Sequence, residues 1–184
     1  MSDLGPFHNR AAEWELYQPL IGDSMLELGC KINAPFTYKA FFAYLGYRHV
    51  SVDINGMHGS LKMDLREPLN LGTFDMVANI GTSEHVSEHD WTGQTGCWRN
   101  IMGAMHMGSV LICTLPMPGQ WPWHGCWYPH EDFYRKLGLL NGLELERMYV
   151  SGEEPRKMIL TRMKKLVEKP FGMPAESMVF RNRR

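Results

Sequence analysis

Glycine and acidic residues stand at the ends of successive apolar segments of the sequence. Gly29 follows the segment 25–28, Asp53 lies near the end of the alternating segment 50–54, and Asp64 follows the short segment 60–63. A glycine lets main chain approach a ligand without a Cβ in the way. Asp53, 24 residues after Gly29, is placed to accept hydrogen bonds from two ribose hydroxyls. Asp64 is placed to accept one from an adenine amine, so the pattern indicates a nucleoside site.

Each of these residues also has a purely structural explanation. Gly29 serves equally well as a tight turn, and Asp53 as the cap of the turn at 55–56. Asp64 serves as a cap for the segment that follows it. The loop Asn79, Ile80 and Gly81 ends a fourth strand, and four such features in register favour the nucleoside site over four separate turns.

A Glu-His pair in the loop 79–91, "NIGTSEHVSEHDW", offers acid-base chemistry. Glu84 and His85 follow the fourth strand directly, and an imidazole titrates near neutral pH. We therefore interpret His85, with Glu84 beside it, as the catalytic general base. The alternative is that the Glu-His pair only shapes and caps this turn.

A divalent metal held by some of the nearby carboxylates and imidazoles is a second hypothesis for the same loop. Such ligands suit zinc or a related ion, but a pattern of the HExxH type on one helix is missing. We therefore expect no metal. The residues considered for this role are Glu84, His85, Glu88, His89, His124 and His130.

The segment 116–133, "PMPGQWPWHGCWYPHEDF", follows the fifth predicted strand and is expected to overhang the site. Its aromatic faces suit a sugar ring or another flat acceptor. The alternative is that these rings close the end of the core. The residues predicted to bind substrate are Trp121, Trp123, His124, Trp127 and Tyr128.

Strand and helix patterns alternate along the chain, which predicts an α/β fold with a mostly parallel sheet covered on both faces. The apolar spacing predicts helices at 9–20, 35–45, 91–107 and 133–140, and strands at 25–28, 50–54, 60–63, 74–79, 110–114, 143–150 and 157–163. The last two strands are joined tightly, as in an antiparallel hairpin. We expect one domain over residues 1–184, with a helix in 1–22 and a basic tail at 164–184.

Composition narrows the class of protein. The chain has 184 residues, of which 44% are hydrophobic and 21% are charged. Its net charge of −1 gives no overall positive electrostatic field that would attract nucleic acid. The basic tail is expected to be a solvated end rather than an RNA-binding segment. No apolar run approaches the roughly 20 residues that span a bilayer. The four cysteines show no close pairing, and no signal peptide is visible, so a cytoplasmic location is expected.

The order "LELGCK", "HVSVDING", "LKMDL" and "FDMVANIGTSEHV" resembles the class I S-adenosylmethionine-dependent methyltransferases, in a small-molecule or glycan-type subgroup with Glu-His in the fourth-strand loop. The likeness covers residues 25–163. It implies a Rossmann-like sandwich with a seven-stranded sheet that ends in an antiparallel hairpin. It also implies S-adenosylmethionine as cofactor. The implied contacts are Glu27 and Gly29 in the first motif, Asp53 at the ribose, Asp64 and Leu65 at the adenine, and Asn79, Ile80 and Gly81 at the methionine end.

The first motif departs from the usual pattern of that family. Lys31 and Asn33 stand where later glycines are expected. S-adenosylmethionine has no pyrophosphate, so its binding requires less bare main chain than a dinucleotide does. Lys31 is expected to pair with the methionine carboxylate, and Asn33 to hydrogen-bond to it or to cap the next helix. For Lys31, a solvated loop position is the alternative.

These observations predict methyl transfer from S-adenosylmethionine to a small molecule or glycan, at oxygen rather than carbon because His85 is available as a base. Nucleic acid is an unlikely acceptor. Members of the family that methylate nucleic-acid bases usually have an Asn or Asp-Pro-Pro-aromatic sequence in the fourth-strand loop, whereas this loop reads Asn79, Ile80, Gly81 and Thr82. The alternative function is a methyltransferase-like domain that no longer catalyses and acts as a binding or assembly module. Binding of a nicotinamide dinucleotide is disfavoured because it requires more glycines near Gly29.

Overall fold

The computed structural model describes residues 14–30, 32–33, 36–86 and 91–180. Its centre is a seven-stranded sheet whose strands we number in chain order: β1 Ser24–Leu28, β2 Arg48–Asp53, β3 Leu61–Lys62, β4 Phe74–Ile80, β5 Met105–Pro116, β6 Leu143–Ser151 and β7 Met158–Lys165. The helices that flank it are α1 Tyr38–Tyr44, α2 Trp91–Gly103 and α3 Glu131–Asn141. No helix in the described part of the chain is long and apolar enough to cross a membrane.

The strands lie in the order β3-β2-β1-β4-β5-β7-β6. Strands β1 to β5 pair in parallel, whereas β7 pairs antiparallel with both β5 and β6. This arrangement confirms the predicted seven-stranded sheet and its antiparallel end. The order reverses between β1 and β4, and ligands of such sheets bind at the carboxyl ends of the strands beside this point.

The core lies on both faces of the sheet. Leu26 and Leu28 of β1 pack on one face with Trp98 of α2, and Met25 packs on the other face with Phe42 of α1. A central parallel strand is covered on both sides, and β1 is accordingly buried along its whole length. The sheet therefore holds the carboxyl end of β1 on a rigid base.

Several boundaries differ from the predicted ones. The helix predicted from residue 35 begins at Tyr38, because Ile32–Asn33 and Phe36–Thr37 pair as a short antiparallel ladder before it. Helix α2 ends at Gly103 instead of residue 107, because β5 begins at Met105 and is much longer than predicted. Strand β3 has only two residues. Of the predicted opening helix, residues 14–17 are helical in the described part.

The C-terminal segment predicted as a basic tail folds back onto the domain. Met178–Phe180 pairs antiparallel with Trp127–Pro129, which lies within the aromatic segment 116–133. Lys165, at the end of β7, is buried, and its Nζ donates a hydrogen bond of 2.8 Å to the Met105 carbonyl. The described part of this segment thus fixes the far end of the aromatic segment to the domain.

Candidate active site

A cavity of about 570 Å³ opens at the carboxyl ends of β1 to β5, within the size range of small-molecule sites. Its wall combines the residues after β1, β2 and β3 with the loop after β4 and the segment after β5. The lining residues are Gly29, Cys30, Val52, Asp53, Ile54, Met63, Asp64, Leu65, Arg66, Ile80, Gly81, Thr82, Glu84, His85, Val86, Pro116, Trp121, His124 and Met158.

Gly29 forms the bend at the end of β1. Its φ is +76°, in the left-handed region, and its N–H donates a hydrogen bond of 2.7 Å to the Val52 carbonyl. A Cβ at this position would lie 2.4 Å from Oγ1 of Thr82. The Thr82 hydroxyl itself donates to the Leu28 carbonyl at 2.7 Å. The glycine is therefore required both by its backbone conformation and by the close approach of the loop after β4.

Asp53 lies at the cavity with both carboxylate oxygens in contact with main-chain donors. Oδ2 accepts a hydrogen bond of 3.3 Å from the Cys30 N–H, and Oδ1 accepts one of 3.0 Å from the Asn55 N–H. The side chain thus caps the turn after β2 and also joins that turn to the turn after β1. Each carboxylate oxygen can accept more than one hydrogen bond, so these contacts leave acceptor capacity for a ligand.

Glu27 is buried behind the turn rather than in the cavity wall. Its Oε2 lies 3.3 Å from Nε2 of His49, and both side chains are about 1% exposed. The His49 ring stacks on Phe42, with a centroid distance of 6.1 Å. Glu27 is not among the residues that line this cavity, and its side chain joins β1 to His49 of β2.

Asp64 and Leu65 both line the cavity, as the resemblance implies. Leu65 is buried, whereas Asp64 accepts hydrogen bonds from Nε of Arg66 at 2.9 and 3.0 Å and from the Arg66 N–H at 2.9 Å. The Arg66 side chain hydrogen-bonded to Asp64 lowers the pKa of that carboxyl. Asp64 is thus held as a carboxylate at the cavity edge, and an acceptor for an amine is available there.

Side-chain hydrogen bonds fix the conformation of the loop after β4. Asn79 is buried, with Nδ2 donating to Oγ of Ser83 at 2.7 Å and Oδ1 accepting from the Ser83 N–H at 3.1 Å. Nε2 of Gln94 donates to the Ser83 carbonyl at 2.6 Å. Ile80 and Gly81 line the cavity, but the Asn79 side chain shapes the loop instead.

Glu84, His85 and His124 form one cluster at the end of the cavity away from Asp53. Oε1 of Glu84 lies 3.7 Å from Nε2 of His85 and 3.5 Å from Nε2 of His124. The two imidazole rings are 4.6 Å apart and edge to face. The Glu84 side chain is fully buried, whereas the histidines are 43% and 39% exposed. The predicted base and a predicted substrate-binding histidine thus share one carboxylate.

The aromatic segment divides into three kinds of position. Trp121 and His124 line the cavity, and Trp123 is 71% exposed. Trp127 packs edge to face on Trp91 in the core, with a centroid distance of 4.8 Å, and Tyr128 is buried, with its hydroxyl donating to the His124 carbonyl at 2.8 Å. Of the residues predicted to bind substrate, Trp121 and His124 line the cavity, whereas Trp127 and Tyr128 are buried and hold the segment in place. Their contacts with a substrate stay a prediction.

Some predicted residues lie outside the described residues. These are Lys31 of the first motif and Glu88 and His89 of the loop after β4. Asn33 is described only as part of the short ladder Ile32–Asn33 with Phe36–Thr37. His130 begins helix α3, where its N–H donates to the Ser177 carbonyl at 3.0 Å, and it is not part of the Glu84 cluster.

Sequence reasoning missed two residues of the cavity wall that shape its chemistry. Thr82 has no local signature, because its contact with Gly29 joins residues far apart in the chain. Arg66 does have one, since Asp64 binds the main chain two residues on in the manner of an Asx turn. Its guanidinium on Asp64 follows from that turn.

No protein-family model matches this sequence, and no curated protein sequence matches it. Solved structures do resemble it. The N-methyltransferase NodS from Bradyrhizobium japonicum WM9 superposes with a TM-score of 0.67 at 14% identity, covering 90% of this chain and 100% of NodS. The 1,6-didemethyltoxoflavin-N1-methyltransferase from Burkholderia thailandensis has a TM-score of 0.64 at 12% identity, covering 88% of this chain and 79% of that one.

A third neighbour is the magnesium protoporphyrin IX methyltransferase ChlM from Synechocystis PCC 6803. Its TM-score is 0.60 at 12% identity, covering 84% of this chain and 76% of ChlM. The chain therefore has the Rossmann-like fold of the class I S-adenosylmethionine-dependent methyltransferases, as its motifs predict.

Proposed function

We propose that this protein transfers the methyl group of S-adenosylmethionine to a hydroxyl group of a small molecule or glycan. The observation that carries the proposal is that one cavity is lined both by Gly29, Asp53 and Asp64 and by Glu84, His85 and His124. A methyltransferase needs these two regions side by side, because the methyl donor and the acceptor must meet in line.

The cofactor end of the cavity suits an adenosine group. The Asp53 carboxylate has acceptor capacity for ribose hydroxyls, and Ile54, which is 64% exposed, offers an apolar surface beside it. Asp64 offers an acceptor at the cavity edge. In support, NodS has been crystallised with S-adenosylhomocysteine, and ChlM and the glycopeptide N-methyltransferase MtfA with S-adenosylmethionine.

The methionine end of the cofactor would pass the loop at Ile80 and Gly81. Gly81 lines the cavity and has no Cβ, so its main chain can come close to a ligand at this point. The roles of Lys31 and Asn33 at the methionine carboxylate stay predictions. In this proposal Glu27 supports the turn after β1 through His49 and makes no direct cofactor contact.

The part of the cavity wall proposed to bind the acceptor carries both polar and aromatic side chains. Trp121 provides a ring face, and the cluster of Glu84, His85 and His124 provides groups that can receive or hold a hydroxyl proton. The neighbours include a 1,6-didemethyltoxoflavin-N1-methyltransferase and a glycopeptide N-methyltransferase, which supports a small-molecule or glycopeptide-like acceptor. The general-base role of His85 stays a prediction.

Calorimetric titration of the protein with S-adenosylmethionine and S-adenosylhomocysteine tests the cofactor assignment, with a nicotinamide dinucleotide as the control ligand. At 100 times its Kd a bound cofactor adds about 2.7 kcal/mol to stability. In a domain of this length that raises the Tm by roughly 5 to 10 °C. Failure of both sulfur ligands to bind contradicts the proposal.

Catalysis is tested by transfer of a labelled methyl group from S-adenosylmethionine to a panel of hydroxyl-bearing small molecules and glycans. Label in an ether product supports the proposal. Cofactor binding with no transfer to any hydroxyl, amine or glycan acceptor favours the alternative, a methyltransferase-like module that has kept the cofactor site without the reaction.

A further inference from the structure

We propose that Glu84, His85 and His124 bind one divalent transition-metal cation, represented here by Zn²⁺, at the acceptor end of the cavity. Metal binding requires only these three side chains. Its use in catalysis rests on the proposed methyl transfer.

The distances within the cluster suit a shared cation better than hydrogen bonds. The contacts of Glu84 Oε1 with the two Nε2 atoms, 3.7 and 3.5 Å, exceed the usual 2.7 to 3.2 Å of N–H···O bonds. Zinc binds histidine nitrogen and carboxylate oxygen at about 2.0 to 2.2 Å, so tetrahedral geometry separates neighbouring ligand atoms by about 3.3 to 3.6 Å. The ligand atoms of all three residues lie within 4.8 Å of one another, within reach of small side-chain rotations.

The burial of Glu84 is the second, independent observation. Its side chain is fully buried, and within the described part of the chain neither carboxylate oxygen has a hydrogen-bond partner. A buried carboxylate without donors is unfavourable by several kcal/mol. One dication satisfies the carboxylate with both imidazoles neutral.

Main-chain contacts hold the aromatic segment against the loop after β4 and so place His124 beside Glu84. The Cys126 N–H donates a hydrogen bond of 2.6 Å to the Glu84 carbonyl, which joins the aromatic segment to the loop after β4. A Cβ on Gly125 would lie 2.7 Å from Cγ of Glu84, so only glycine allows this approach beside His124. A preorganised ligand set of this kind lowers the conformational cost of binding.

The ligand types decide the class of cation. Two imidazoles and one carboxylate suit zinc, cobalt or nickel, whereas magnesium and calcium favour oxygen ligands. Three protein ligands leave a coordination position open, as in catalytic zinc sites. Both histidines are about 40% exposed and line the cavity, so the open position faces the space proposed for the acceptor.

The cation would supply Lewis-acid chemistry to the proposed reaction. An acceptor hydroxyl bound at the open position would have a lowered pKa and would release its proton to solvent. Its oxygen then forms a bond to the methyl carbon while the carbon–sulfur bond breaks. That electron pair stays on sulfur, which leaves S-adenosylhomocysteine and a methyl ether. His85 and His124 would then act as ligands, not as bases.

The test uses the full chain, freed of metal with a chelator and titrated with Zn²⁺ by calorimetry and with Co²⁺ by visible spectroscopy. We expect one equivalent of each metal per chain, and cobalt bands typical of a four- or five-coordinate site. Glu84→Gln and His124→Ala should each weaken Zn²⁺ binding by more than the roughly 10- to 100-fold loss caused by removal of an outer partner. His130→Ala is the matched control and should bind Zn²⁺ as the wild type does.

The proposal is overturned if the wild type takes up no saturating equivalent of Zn²⁺, if both cluster variants keep wild-type affinity, or if His130→Ala loses affinity as they do. Circular dichroism of each variant separates loss of the site from loss of the fold. Titration of the same metal-free samples with S-adenosylmethionine separates the two proposals, because cofactor binding at Asp53 does not require the cation.

Discussion

Thr82 occupies the space that any side chain on Gly29 would need. A Cβ there would lie 2.4 Å from Oγ1 and 3.3 Å from Cγ2 of Thr82, and the φ of Gly29 is +76°. Gly29→Ala should therefore lower the free energy of unfolding by more than the roughly 1 to 2 kcal/mol that a left-handed backbone costs a residue with a Cβ. It should also weaken cofactor binding, because the loop after β4 must move. Urea denaturation and calorimetry with S-adenosylmethionine measure the two effects.

Gly72 is the matched control for this substitution. Its φ is +78°, but a Cβ added at Gly72 would meet no atom within 4 Å, so Gly72→Ala reports the backbone cost alone. The double variant Gly29→Ala with Thr82→Ala removes the clashing atoms and should recover the excess loss. Equal destabilisation by Gly29→Ala and Gly72→Ala would show that the contact with Thr82 has no energetic weight.

Asp53→Ala should abolish measurable binding of S-adenosylmethionine and leave the fold intact. Hydrogen bonds to a charged group contribute about 1.5 to 3 kcal/mol each, so loss of two from the ribose weakens binding by at least about 100-fold. Asp23→Ala, which removes an exposed carboxylate at the opposite end of the sheet, should bind normally. Retained affinity in Asp53→Ala would refute the assignment of this carboxylate to the ribose.

His85→Ala should leave the Kd of S-adenosylmethionine near the wild-type value and lower kcat by about 100-fold or more. The reason is that His85 lies at the acceptor end of the cavity, beside Glu84 and His124, and not among the adenosine contacts. Steady-state kinetics with an identified acceptor provide the measurement, with His130→Ala as control. An unchanged kcat would exclude His85 from the reaction, whether as base or as metal ligand.

Trp121→Ala should raise the KM for the acceptor roughly 10-fold or more, because the ring lines the cavity and its loss exposes an apolar acceptor surface to water. Trp123→Ala is the control, since that ring is 71% exposed. Both variants should keep cofactor affinity. If Trp123→Ala raises the KM and Trp121→Ala does not, the acceptor lies on the outer face of the segment.

Protonation of Asp75 in acid should lower the free energy of unfolding. Desolvation alone would raise the pKa of this carboxyl, but hydrogen bonds from the Ser24 hydroxyl at 2.6 Å and from the Asp23 and Ser24 N–H groups at 3.0 Å outweigh it and lower the pKa. The contribution of Asp75 is therefore present above the ordinary pKa of about 3.9 and is lost as the pH falls through the lower folded-state value.

Urea denaturation at pH 7 and pH 3 measures this contribution. Asp75→Asn should be less stable than the wild type at pH 7 by about 1 to 3 kcal/mol, and the gap should narrow at pH 3. A gap of constant size would show that the effect of Asp75 comes from shape and not from charge.

The sequence predicted those parts of the fold that depend on local pattern. The apolar runs located the strands that end at Leu28, Asp53 and Ile80, and with them the edge of the sheet where the cavity opens. Helix boundaries were less accurate, because pairing between chain segments decides them. Helix α1 loses its first turn to the ladder that includes Phe36–Thr37, which has no pattern of its own.

Within the site, several residues of the cavity wall could be picked out from the sequence, but most of their contacts could not. His124 was named both as a substrate-binding residue and among the possible metal ligands, but its contact with Glu84 depends on the return of a segment about 40 residues later in the chain. Likewise, Trp127 and Tyr128 carried the same signal as Trp121, and only packing separates core rings from cavity rings. Tertiary contacts of this kind leave no spacing in the sequence.

The aromatic segment is held against the loop after β4 by the close approach of Gly125 to Glu84 and by the hydrogen bond from the Cys126 N–H to the Glu84 carbonyl. In the proposed methyl transfer, the residues that select the acceptor are consequently coupled to those that act on it. An exchange of residues 116–126 for those of another methyltransferase would displace the Glu84 carboxylate along with the rim of the cavity. Changes of acceptor preference should therefore arise through substitutions at Trp121 more readily than through replacement of the whole segment.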